Sequence, residues 1–186
     1  VMNSISAVLT EPIMPWDSII CTSNSVLNTV NKILDVRKEF LRNRFNVKSF
    51  ITPKFPVIPL GINHDEFNFS DEFKQKSRNS LSINEGDIVI SYVGRLSFHA
   101  KAHHIPMYIA LENCAKKMAG NKKIHLIQTG WFANDFIEKS FREEANLICP
   151  SVNCIFLDGR EQSLKDKTLA ASDIFMSLSD NIQETF

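Results

Sequence analysis

Glycine is scarce in this sequence, with 6 among 186 residues. So few flexible positions point to packed layers rather than linkers, and nothing in the text is low-complexity or repeated. Net charge is absent as well, with 21 basic residues against 21 acidic ones. A chain without a global field does not draw in nucleic acid or a membrane, so any electrostatics that matter are local. No apolar run approaches the length needed to cross a bilayer. The opening residues, Val1-Met2-Asn3-Ser4-Ile5, have no charged segment ahead of an apolar core and do not read as a signal peptide. The chain lacks a GxxxxGK(S/T) loop, a GxGxxG after its first complete strand and a GxSxG elbow. NTPase phosphate cradling, ordinary nicotinamide binding and the hydrolase nucleophile turn are thereby disfavoured.

Cysteine is also sparse: Cys21, Cys114, Cys149 and Cys154. Their surroundings suggest buried thiols in a reducing, cytoplasmic setting. A metal or disulfide pair at Cys149 and Cys154 is the sharper alternative, although the spacing matches no standard zinc pattern.

What is present falls into two kinds of text. In residues 1–62 a short strand at Ser18–Thr22 precedes a helical pattern that Ser23, Asn24 or Ser25 could cap. Val26, Val30, Ile33 and Leu34 fall at helical spacing, and Phe40, Leu41 and Phe45 continue the apolar side, with or without a break. Arg37, Lys38, Arg42, Arg44 and Lys48 make this helix basic. That pattern fits a solvated face or a weak peripheral membrane contact. Three prolines between Pro53 and Pro59 forbid a helix and leave at most a strand at Val57-Ile58.

Residues 63–86 read as a polar linker with a short helix around Glu72–Leu81. From residue 87 onward, apolar strands at Ile88–Val93, Ile124–Thr129, Cys154–Leu157 and Ile174–Ser177 alternate with helices near 103–118, 134–148 and 163–171. Met107, Leu111, Cys114, Ala115 and Met118 are expected on one helix face, and Ile137, Phe141, Ala145 and Ile148 on another. Strands apolar throughout, alternating with amphipathic helices, mean a doubly wound α/β domain with a parallel sheet covered on both sides. A further helix is expected to begin at Gln183 or Glu184. The expectation is therefore a fragment: the tail of one domain (1–62) and the first part of the next (87–186), poorly stable in isolation.

In open α/β sheets, ligands bind outside the carboxyl ends of the strands. Gly94, Arg95 and Lys101 follow the first complete strand. Gly130 and Trp131 follow the second, and Asp158, Gly159, Arg160 and Glu161 the third. Asp180, Asn181 and Glu184 follow the fourth. All are expected at one cleft. Arg95 and Lys101 would neutralise a diphosphate, more strongly as it leaves with added charge; the bland reading is two solvated cations. Glu184, at a helix start, reads as a dipole-favoured carboxylate, an acceptor for sugar hydroxyls, or both. His99 could enter the cleft, and Trp131 could stack on a base or simply pack. His103 and His104 are adjacent and share no helix face, which disfavours metal binding.

Three segments in order, VIPLGIN (57–63), YVGRLSFHAK (92–101) and AASDIFMSLSDNIQETF (170–186), resemble retaining glycosyltransferases of family 4, which have the GT-B fold. The resemblance implies transfer of a sugar from a nucleoside-diphosphate sugar with retained configuration. It implies Arg95 and Lys101 on the diphosphate, Glu184 on the transferred sugar, and Gly94, Gly130, Gly159 and Arg160 around the nucleotide, with the backbone at Gly159-Arg160 holding the base. It implies no bound metal or cofactor, and a saccharide, lipid or other acceptor. A second family glutamate would fall beyond the chain, so the 186 residues alone are expected to be inactive. Ala102 stands where the family commonly has glycine after the lysine. The competing readings are a non-catalytic α/β binding module and a nucleotide-sugar epimerase of the same architecture.

Overall fold

The computed structural model describes residues 2–98, 101, 103–118 and 120–176. The chain divides into two compact units, one ending at Ile62 and the other beginning at Asn63.

In the first unit, helix α1 (Met2–Ala7) packs on helix α2 (Asn24–Phe45). Ser23 caps α2, its hydroxyl accepting the Val26 N–H at 3.2 Å. The helix runs unbroken to Phe45 and stops where Asn46 turns left-handed at φ 52°, a conformation asparagine tolerates. Val30 and Leu34 meet Cys21 in a small core with Ile5, Leu9, Val26, Leu27 and Phe55 around it. The cations of α2 lie on partly or fully exposed positions, and Arg37 sits 5.0 Å over the Phe40 ring.

The expected strand at Ser18–Thr22 forms only isolated parallel bridges to 54–57. Lys54 N–H donates to Asp17 O, Ile19 N–H to Lys54 O, Cys21 N–H to Pro56 O and Ile58 N–H to Cys21 O. Pro56 has no N–H to offer Ile19 O, so the ladder misses its central rung.

The second unit begins with a 3-10 turn, His64–Phe67, that periodicity did not signal, and helix α3 (Asp71–Ser80). There follow β1 (Ile88–Val93), α4 (His104–Lys117), β2 (Ile124–Gly130), α5 (Asp135–Ile148), β3 (Asn153–Asp158), α6 (Gln162–Ala171) and β4 (Ile174–Phe175). The strands form one parallel sheet in the order β3-β2-β1-β4. The fold is α/β and GT-B-like, a doubly wound parallel sheet of the kind the alternating text indicates.

Strand period 2 sorts the inner side chains. Ile90 and Leu126 pack with Met107, Tyr108, Leu111, Ala145 and Cys149 of the α4/α5 layer. Val89 and Ile127 pack with Ala171 of α6. The alternation carries through the buried polar positions: Gln128 donates to the Tyr108 hydroxyl at 2.9 Å, while Thr129 bonds Thr168 of α6 at 2.5 Å. Burying each large aliphatic side chain contributes about 1.5–3 kcal/mol.

One expected face is corrected. The buried stripe of α4 is His104, Met107, Tyr108, Leu111 and Glu112. Cys114 falls outside it and is exposed, not buried as its sequence surroundings suggested. The stripe tolerates Glu112 because its carboxylate accepts the Ser151 N–H and hydroxyl, both at 3.0 Å, and pairs with Lys116 at 3.1 Å.

Arg78 of α3, read from sequence as part of a polar helix, is 6% exposed. It donates to Ala171 O (3.0 Å), Asp87 O (3.2 Å) and Asp173 Oδ2 (2.6 Å). The same Asp173 oxygen accepts Val89 N–H at 2.9 Å. One guanidinium thus joins α3, the end of α6 and the approach to β1. No helix among the described residues is long and apolar enough to cross a membrane.

Candidate functional site at the strand ends

The chain runs outward from β1 to β2 to β3, then crosses back to place β4 on the far side of β1. The strand order therefore reverses between β1 and β4. In open sheets that switch point is where the loops diverge and leave a crevice. Gly94 and Arg95 leave β1 at this place. Asp180, Asn181 and Glu184 lie outside the described residues.

Arg95 is exposed but held on both sides. Before it, Tyr92 is 4% exposed and its hydroxyl donates to the Arg95 carbonyl at 3.1 Å. After it, Leu96 is buried and its N–H donates to Trp131 O at 3.1 Å. The backbone is thus fixed while the guanidinium meets solvent, a good arrangement for capturing an anion without ordering a loop. Lys101 is half-buried, its N–H donating to Ser97 O at 3.1 Å. His99 and Ala102 lie outside the described residues.

The three glycines expected around a nucleotide form a close-packed ledge. A Cβ on Gly130 would overlap the Gly94 carbonyl oxygen outright, and one on Gly159 would lie 2.7 Å from Gly130 Cα. A Cβ on Gly94 would come within 3.0 Å of the Tyr92 hydroxyl. Gly94 N–H donates to Thr129 O at 3.0 Å and Gly159 N–H to Gly130 O at 2.8 Å, so the ladder continues through the ledge. Glycine is needed here for close approach of one backbone to the next.

Beside the ledge opens a cleft of about 360 Å³ at the ends of β2 and β3. Gly130, Trp131, Phe132, Phe156, Asp158 and Arg160 are among its walls. Trp131 is 41% exposed at this edge. Asn134, which caps α5 by accepting the Ile137 N–H at 3.0 Å, also lines it. So do Glu138 and Arg142, paired at 2.8 Å, with Arg142 lying 4.7 Å over the Phe156 ring. Sequence reasoning found Trp131 and the Asp158–Arg160 turn but missed Phe132, Glu138, Arg142 and Phe156. Phe132 and Glu138 sit beside or in the first turn of α5 and Arg142 one turn further on, and only the sheet order brings them against β3. Arg95 and Lys101 are not among the cleft's lining residues.

Arg160 is not a free cation. Its Nη2 lies 2.6 Å from Asp158 Oδ2, and its own N–H donates to Asp158 Oδ1 at 2.9 Å. The hydrogen bonds from Arg160 pull the Asp158 carboxyl down to about 2. The pair leaves this turn preformed, with its charge largely balanced locally.

His104 is 2% exposed and stacks on Phe141 with ring centroids 3.7 Å apart. Its Nε2 bonds Glu144. Burial pushes its imidazole below the ordinary range, against the pull of Glu144. Among the described residues no group of three histidine, cysteine, aspartate or glutamate side chains could hold a metal ion.

No family model matches the chain, and no curated protein matches it. Solved structures do. HepE of Anabaena in complex with UDP-glucose superposes with a TM-score of 0.63 at 14% identity, over 96% of this chain and 42% of that one. HepE with UDP and glucose gives 0.61 at 14%, over 96% and 42%. A glycosyltransferase from Rickettsia africae gives 0.57 at 16%, over 95% and 42%. The chain thus spans less than half the length of these structures, and at such identity the likeness is one of fold.

Proposed function

We propose that this chain is the part of a glycosyltransferase that holds a nucleoside-diphosphate sugar and transfers its sugar with retained configuration. The observation that carries the proposal is the rigid presentation of Arg95 beside a glycine ledge at the sheet's switch point. Solved structures of the same fold that were obtained with UDP-glucose, or with UDP and glucose, support it.

In this reading Arg95 and Lys101 take the diphosphate. Their attraction grows as the sugar–phosphate bond breaks and negative charge accumulates on the leaving oxygen, which lowers the barrier rather than merely tightening the ground state. The ledge of Gly94, Gly130 and Gly159 lets the ligand approach the backbone, with the turn at Gly159-Arg160 beside the base. Glu184 contacts the transferred sugar. No bound metal or cofactor is required, because side-chain cations supply the charge. The acceptor is a saccharide, a lipid or another hydroxyl compound.

Titration of the protein with UDP-glucose, followed by Trp131 fluorescence, tests this. Arg95→Ala should weaken binding by more than tenfold, the loss of one charge-assisted phosphate contact. Unchanged affinity removes Arg95 from the site. Analysis of the product's anomeric configuration, with and without acceptor, separates transfer from epimerisation.

A further inference from the structure

Cys149 and Cys154 lie far from Arg95 in sequence, and the proposed transfer does not use them. Cys149 is the C-cap of α5, and Cys154 stands in β3, with only Pro150–Asn153 between them. Their Sγ atoms are 3.6 Å apart and both thiols are free. The other two cysteines have no such arrangement: Cys21 belongs to the first unit's core, and Cys114 is on the exposed side of α4.

We propose that Cys149 and Cys154 are a dithiol modification site, closed to an intrachain disulfide by a hydroperoxide. One sulfur is oxidised first and the other resolves it. Cys149 is 1% exposed and its S–H donates to Ala145 O at 3.2 Å, while Cys154 is half-buried. In the first step one thiolate attacks one peroxide oxygen. The O–O bond breaks, that cysteine becomes a sulfenic acid and hydroxide leaves. In the second, the other sulfur attacks the sulfenic sulfur. The S–S bond forms, the S–O bond breaks, and the thiol proton leaves with the hydroxyl as water. The net reaction turns two thiols and one hydrogen peroxide into one disulfide and two waters.

Geometry favours this product over further oxidation of one sulfur. The resolving thiol is already in contact, so the sulfenic acid is intercepted without a search. Access comes from the connecting segment. Pro150 and Ser151 are exposed, and 150–153 borders a cavity of about 530 Å³ at the amino-terminal edge of the sheet. Cys154 itself is only half-buried. The bond would tie α5 to β3, whose opposite ends carry Glu138, Phe156 and Asp158 of the cleft.

The sequence makes the test direct. Arg142 and Arg160 bracket both cysteines with no Lys or Arg between, so trypsin releases them on one peptide, residues 143–160. The full chain, purified reduced, is treated with hydrogen peroxide, alkylated and digested. Peptide 143–160 should appear about 2 Da lighter than its reduced form and unalkylated. Dithiothreitol should restore both alkylation sites, and thermal melting should show that the oxidised chain remains folded. In Cys114→Ala the light peptide should persist; in Cys149→Ser and in Cys154→Ser it should vanish. The inference is overturned if 143–160 stays doubly alkylated, if it gains only oxygen in the unsubstituted chain, or if the light form appears only in chains that no longer melt cooperatively.

Discussion

Replacing Gly130 by alanine puts the glycine ledge under direct strain. The new Cβ would overlap the Gly94 carbonyl oxygen and lie 3.0 Å from Leu96 Cγ. Non-bonded carbons settle at about 3.5–4.0 Å, so the ends of β1 and β2 must part by roughly 1 Å. Two bonds span that gap, Gly94 N–H to Thr129 O and Leu96 N–H to Trp131 O. Each contributes about 0.5–1.5 kcal/mol net, and overpacking costs about 1–3 kcal/mol more. The expected loss is therefore about 2–6 kcal/mol, read from urea unfolding followed by circular dichroism. Gly61 is the matched control, since a Cβ there meets nothing within 4 Å. Gly61→Ala should leave stability unchanged or raise it by up to about 1 kcal/mol, through a less flexible unfolded chain. The shift also displaces Arg95, so UDP-glucose binding should weaken even where Gly130→Ala is fully folded. If Gly130→Ala unfolds within about 0.5 kcal/mol of Gly61→Ala, the ledge is not close-packed.

Two further outcomes follow from buried charge. Arg78→Met should cost about 3–5 kcal/mol, because it strips a buried cation from Asp173 and orphans two carbonyls; a urea midpoint close to that of the unsubstituted protein would dissolve the latch joining α3, α6 and β1. For His104, burial lowers the folded pKa below the ordinary 6.5, so below that pH the unfolded chain binds more protons. Stability should be full above about pH 6.5 and decline as pH falls below it, and the decline should shrink in His104→Leu. Equal denaturation midpoints at pH 7.5 and 5.5 would contradict the buried neutral imidazole.

The parallel α/β text was legible because both sheet faces are buried. Ile88–Val93 has no polar side to confuse the pattern, and its limits in the fold are those the sequence indicates. Cys114 was misplaced because apolar spacing alone cannot show that Glu112 takes a buried position, satisfied by Ser151 from a distant turn. Arg78 escaped notice for the same reason: its partners lie up to 95 residues away, and a lone arginine in a polar helix reads as solvated. The interrupted pairing at Pro56 could be foreseen, whereas its partner at Ile19 could not. Gly94, Gly130 and Gly159 were each recognisable as strand-end residues. That they touch one another depends on the order β3-β2-β1-β4, which periodicity does not encode.

That order has a consequence for assembly. β1, β2 and β3 are successive neighbours, so each can dock as soon as its crossover helix forms. β4 must travel back across the sheet to pair Ile174 with Ile90, a closure spanning 84 residues, and such distant pairings are the slow ones. The switch point between β1 and β4 therefore does not exist in a chain that has folded only as far as β3. A ligand that binds there recognises completed molecules alone, and by mass action it holds the last strand in place. Its concentration would then set how many molecules finish folding, as well as how many are occupied.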